Sequence, residues 1–153
     1  MSKKRMGLAC MLALSLSVAS SAAMAVDVER IGVITDISGP LADVQGPGSV
    51  EAVKIAVEEF GGTVLGRKIE VLSADHQNKP DVAAGMARQW FDQDGVDAVL
   101  DMPNSSIGLA VAQVAAEKDK ACLISGAGTA DLTGSRCAPT NIHWTFDTWM
   151  LAR

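Results

Sequence analysis

The sequence predicts an α/β fold: a three-layer, Rossmann-like lobe with a mainly parallel sheet and helices on both faces. Short β-branched runs alternate with apolar stripes at helical spacing from Arg30 to beyond Asn141. The 153 residues, 48% hydrophobic and 20% charged with 14 glycines, suffice for one such domain. Apolar and charged residues are interspersed throughout, which excludes collagen-like, disordered and coiled-coil classes.

The first strand is Arg30-Ile31-Gly32-Val33-Ile34-Thr35, a β-branched run of the kind that fills a buried strand. Asp36-Ile37-Ser38-Gly39-Pro40 ends it in turn chemistry, and a Gly- and Pro-rich loop continues to Ser49. Val50, Val53, Val57 and Phe60 then recur at helical spacing, with Ser49 the expected N-cap and Gly61-Gly62 the stop. The second strand, Lys68 to Ser73, follows a turn around Gly66, and its alternation places it near a sheet edge. Pro80 opens a second helix whose stripe is Val82, Ala83, Met86, Ala87, Trp90 and Phe91, and Gly95 closes it.

Val96 to Leu100 is the third strand. Asn104 or Ser105 caps a third helix with Ile107, Ala110, Val111, Val114 and Ala115 on its inner face. The fourth strand runs from Ala121 to Ser125, then comes Gly126-Ala127-Gly128-Thr129, and Asn141 to Phe146 is a last extended stretch. The order β-α-β-α-β-α-β-loop-β implies parallel crossovers. Ligands of such sheets bind beyond the carboxyl ends of the strands, which selects the loops after the first, third and fourth strands.

The N-terminus reads as an export signal over residues 1–25. Lys3-Lys4-Arg5 is a basic n-region, Met6 to Ala19 an apolar h-region, and Ala23-x-Ala25 a cleavage site that places the cut after Ala25. The apolar run is short for the ~20 residues that a membrane span needs. Cys10 follows the charges too closely for a lipoprotein signal. The formal net charge is -5; without those three basic residues the balance is ten basic against eighteen acidic, or -8. Such a surface repels nucleic acid and anionic membranes. In the exported remainder Cys122 and Cys137 could pair in an oxidising compartment, or Cys122 could serve as a small core hydrophobe.

Catalytic and cofactor chemistry finds little support. There is no Gly-x-Ser-x-Gly, no His-Glu-x-x-His and no Cys/His cluster for zinc. His76 sits in a polar loop, where a solvated or structural role outweighs that of a general base; Asp36, Asp75 and Asp101 read as strand-end caps and turns. Gly126-Ala127-Gly128 begins like a dinucleotide fingerprint, but Asp131 occupies the third glycine position and would face the pyrophosphate. No metal or cofactor is expected. Asn104, Ser105 and Ser106 offer more: hydroxyls and unpaired amides at a helix start suit a carboxylate. Ala127, Gly128 and Thr129 bring a second set of amides and a hydroxyl from the neighbouring loop, so the two loops read as one small-molecule cleft.

The segments Ile31-Gly32-Val33 to Ser38-Gly39-Pro40-Leu41-Ala42, Gly61-Gly62 to Leu65-Gly66-Arg67-Lys68-Ile69-Glu70-Val71, Asp94-Gly95-Val96-Asp97-Ala98-Val99, Asn104-Ser105-Ser106 and Ser125 to Thr133 follow one another in a familiar order. Together they resemble the leucine/isoleucine/valine-type periplasmic binding proteins over Glu29 to Trp149. The resemblance implies a two-lobed receptor of the periplasm, closing on a small ligand and handing it to an ABC permease and its ATPase. Residues 26–153 would be its N-terminal lobe, and the chain reads as a fragment without the second lobe. Ser105, Ser106, Ala127 and Thr129 match positions that bind an α-carboxylate and amino group. Val44 and Gln45 match a cleft position that is often aromatic, whereas this chain has no tyrosine. The family's local disulfide is absent at Met102-Pro103-Asn104, and Trp144 stands either as a stacking wall or as core. These departures widen the expected ligand from a branched-chain amino acid to a related carboxylate, amide or aromatic acid. A sensory domain of the same fold is the alternative function; an exported nucleotide-dependent enzyme is the least supported.

Overall fold

The structure is a computed structural model and describes residues 28–153; the expected signal, its expected cleavage site at Ala23 and Ala25, and Cys10 lie outside the described residues. The elements are β1 (Val28–Thr35), α1 (Gly46–Glu59), β2 (Thr63–Val64), β3 (Arg67–Asp75), α2 (Pro80–Asp92), β4 (Val96–Asp101), α3 (Ser105–Glu117), β5 (Ala121–Ile124), a 3-10 turn (Ala130–Leu132), β6 (Asn141–His143) and α4 (Thr148–Leu151). They build one six-stranded sheet in the order β2-β3-β1-β4-β5-β6. Every strand pair is parallel except the β2–β3 hairpin. This is the expected α/β lobe, a mainly parallel sheet with helices on both faces.

After β1 the chain crosses to β3 on one side; after β3 it returns past β1 to β4. The order therefore reverses between β1 and β4, where open α/β sheets form their crevice. Right-handed crossovers put α2 and α3 on one face, packed against each other, and α1 on the other, against β1 and β3. The main core lies under α2 and α3: Ile34, Trp90, Val96, Val99, Ile107, Val111, Val114 and Ile124 are buried there. Each such aliphatic side chain contributes about 1.5–3 kcal/mol of burial. Gly32 belongs to this packing, because a Cβ at that position would run into the Trp90 ring.

Three local expectations need correction. Helix α1 begins at Gly46, one turn before the expected cap, so Ser49 lies inside it. Pro47, with its φ pre-set for a helical first turn, drives the early start, and the Gly46 amide is taken by the Thr35 hydroxyl at 3.0 Å. Strand β2 was not expected; Leu65 and Gly66, at φ 52° and 79°, form a tight turn that folds it back on β3. The last strand stops at His143, because the Thr145 hydroxyl bonds to the Ser125 carbonyl and Asp147 caps α4, turning the chain out of the ladder.

Cys122 and Cys137 are unbridged, the first buried and the second exposed. Burial pushes the Cys122 thiol up to about 12, so it behaves as the core hydrophobe. No described helix is long and apolar enough to cross a membrane. On the α1 face an apolar groove remains open between Ala52, Val53 and Ala56 of the helix and Leu100, Leu123, Ile142 and Trp144 of the sheet.

Candidate ligand site

The carboxyl ends of β1, β4 and β5 carry the loops that the sequence selects. Helix α3 starts where Asn104, in extended conformation, accepts the Ser106 amide at 2.9 Å and the Ser106 hydroxyl at 2.7 Å on Oδ1. Asn104 is thus the cap, and the Ser106 hydroxyl is spent on it. The Ser105 hydroxyl has no hydrogen-bond partner among the described residues, and neither do the amides of Asn104, Ser105 and Ile107. Those are the orphan donors of a helix N-terminus, carrying the positive end of its dipole.

The neighbouring loop is built close against this one. The Ser125 amide donates to the Asp101 carbonyl at 3.1 Å, continuing the β4–β5 ladder by one rung. Gly108, in the first turns of α3, lies so near the loop that a Cβ there would stand 2.9 Å from the Ala127 methyl. Among the described residues the amides of Gly126, Ala127, Gly128 and Thr129 have no acceptor. The Thr129 hydroxyl accepts the Asp131 amide at 3.3 Å and caps the 3-10 turn, leaving its own proton to donate. Apart from the buried Ala127, two adjacent loops therefore present unpaired amides and hydroxyls, a surface that suits an anion.

The acceptors here are largely taken. His143 Nε2 lies 2.5 Å from the Ala127 carbonyl, and the Gly128 carbonyl accepts the Thr148 amide at 2.7 Å.

Of the remaining expected site residues, Gln45 is tied beneath the site. Its Nε2 donates to Asp101 Oδ1 at 2.8 Å, and its amide fills the space that a Cβ on Gly126 would need. Val44 is 75% exposed on the first loop. Trp144, 79% exposed, lines the apolar groove beside α1 and not the two polar loops. At that exposure core packing is not its role.

His76, Asp36 and Asp101 take structural, turn-fixing roles as read from the sequence, but in the interior rather than in solvent. All three are buried, at 0%, 0% and 4% exposure. Asp36 accepts the Gly39 and Leu41 amides at 3.0 and 2.8 Å, fixing the first loop. Asp101 holds Ser125 at 2.7 Å as well as Gln45, while its own φ of 91° and the 54° of Met102 lie in the left-handed region. Ser125, expected on the cleft loop, and Asn78, which the sequence reasoning did not single out, knit these loops together. The signal for Asn78 is only its position just beyond a strand's carboxyl end.

Residues 29–153 match the family model described as periplasmic binding protein. No match was found among curated proteins. Among solved structures, a periplasmic binding protein from Burkholderia mallei is 49% identical with a TM-score of 0.81, over 82% of this chain and 34% of that one. A branched-chain amino acid ABC transporter periplasmic ligand-binding protein from Burkholderia xenovorans is 41% identical with a TM-score of 0.76, over 78% of this chain and 32% of that one. An ABC transporter solute-binding protein from Rhodopseudomonas palustris, in complex with 3,4-dihydroxybenzoic acid, is 26% identical with a TM-score of 0.71, over 79% and 32%. This chain spans about a third of the length of each. It belongs to the periplasmic binding protein family.

Proposed function

We propose that the chain is the N-terminal lobe of the substrate-binding component of an ABC transporter, a binding protein rather than an enzyme. It captures a small amino-acid-like or carboxylate ligand in the periplasm and delivers it to a membrane permease and ATPase. The observation that carries this reading is the pair of adjacent donor sets: the Ser105 hydroxyl with the first amides of α3, and the Gly126–Thr129 amides with the Thr129 hydroxyl. A carboxylate accepts up to four hydrogen bonds and can draw them from both sets. The transport assignments of the Burkholderia xenovorans and Rhodopseudomonas palustris proteins support the class. The export pattern read from residues 1–25 of the sequence supports the location.

The ligand group facing these loops is its carboxylate, because both loops offer unpaired donors. The test joins this chain to the remaining two thirds of the Burkholderia mallei protein and measures binding of L-leucine and 3,4-dihydroxybenzoate by calorimetry. Ser105→Ala and Thr129→Ala should each weaken binding of the preferred probe by ~1–3 kcal/mol, the loss of a hydrogen bond to a charged group. Unchanged affinity in both variants would overturn the site.

A further inference from the structure

We infer that His76 and Asn78, on the loop between β3 and α2, are positioning residues that set the orientation of Asn104 and through it the ligand-facing start of α3. The inference rests on the reading of Asn104–Ser106 as part of the ligand site. A continuous hydrogen-bond path carries it. The Asn78 amide donates to His76 Nδ1 at 2.9 Å, Asn104 Nδ2 donates to Asn78 Oδ1 at 3.0 Å, and Asn104 Oδ1 accepts the Ser106 amide at 2.9 Å.

Each link has a physical consequence. The carboxamide of Asn104 can face two ways, and the acceptor on Asn78 selects the one that turns Oδ1 toward Ser106. Asn78 stands at φ 55° and Gln77 at φ 51°, two successive non-glycine residues in the left-handed region. Such a pair persists only where its surroundings hold it. Here Asp75 accepts the Ile37 and Gln77 amides at 3.0 and 2.9 Å on one side, and the wholly buried His76 ring accepts Asn78 on the other.

Because Nδ1 must accept, the ring is neutral with its proton on Nε2. Nε2 is buried without a partner, as is Asp101 Oδ2. The charged groups facing the ring are Asp36 after β1, Asp75 at the end of β3 and Asp101 at the end of β4. Burial outweighs their attraction and holds the ring below the usual 6.5. Protonation would place an N–H against the Asn78 N–H and release the turn, so the path holds at neutral pH and fails in acid.

The test uses the full 15N-labelled chain. Asn78→Gly keeps the left-handed backbone but removes Oδ1; His76→Asn keeps an acceptor for the amide two residues on and cannot titrate. Asn78→Gly should raise amide exchange at Ser106 about fivefold while exchange at Cys122, in the core, is unchanged. His76→Asn should retain wild-type Ser106 exchange at neutral pH and abolish the acid-induced shift of the Ser106 resonance seen in wild type. Equal Ser106 exchange in wild type and Asn78→Gly, or an acid shift that survives in His76→Asn, would overturn the inference. Titration with L-leucine and 3,4-dihydroxybenzoate separates the two layers. If neither probe moves Ser106 in wild type, the ligand reading fails while exchange still decides the positioning. If a probe binds wild type and Asn78→Gly equally, the positioning role is overturned.

Discussion

Gln45 donates to Asp101 across 56 residues of sequence, 2.8 Å from Nε2 to Oδ1, and so joins the loop after β1 to the end of β4 at the point where strand order reverses. Asp101 is buried and sits at φ 91°, so it needs the partners that hold it. Gln45→Leu should destabilise the chain by ~1–3 kcal/mol in chemical denaturation, through a buried carboxylate left short of a donor. Full retention of stability would show that the tie contributes nothing.

Gly126 leaves room for the same Gln45 amide, and a methyl group at 126 would collide with it. Gly126→Ala alone should cost about 1–3 kcal/mol. Combined with Gln45→Ala, which empties that space, the second substitution should cost less than its value alone. Strictly additive losses would place the two residues in separate interactions.

Stability should depend on His76 with a definite sign. Burial, against the pull of Asp36, Asp75 and Asp101, holds the folded ring below 6.5, so in that window the unfolded chain binds more protons. The contribution is complete above 6.5 and is lost as pH falls from there through the folded-state value. The stability difference between wild type and His76→Asn, followed by denaturation across this range, should change in that direction. A difference independent of pH would contradict the assignment.

The two described thiols should separate cleanly. Cys137 is exposed and should react with maleimide in the native state, whereas Cys122, buried and held up at about 12, should react only on unfolding. Mass spectrometry of the digested adduct distinguishes them. Native labelling at Cys122 would show that β5 opens.

The layered fold was legible because its signals are local and redundant. The Ile31–Thr35 run, Pro80 and Asn104 each mark an element by one physical property: β-branching, a pre-set φ, a capping oxygen. Ser49 misled because Pro47 and Gly46, pinned to Thr35, start α1 one turn sooner. The extended stretch after His143 misled because β-like residues do not reveal that the Thr145 hydroxyl and Asp147 will turn the chain. At the site, Ser105 and Thr129 could be named from helix-start and loop chemistry. The ties from Gln45 to Asp101 and from His76 through Asn78 to Asn104 could not, because they span 56 and 26 residues and exist only once the sheet brings the loops together. Trp144, just beyond β6, lines the groove beside α1, a placement that no local signal in the sequence gives.

The central claim is that the unpaired donors of α3's first turn and of Gly126–Thr129 form one carboxylate-binding surface. An amide-resolved NMR titration of the full chain with L-leucine and with 3,4-dihydroxybenzoate tests it most directly. The account predicts that the amides of Ser105, Ile107, Gly128 and Thr129 shift together along one binding curve for at least one probe. Shifts confined to the groove around Ile142 and Trp144, with those four amides unmoved, would contradict it.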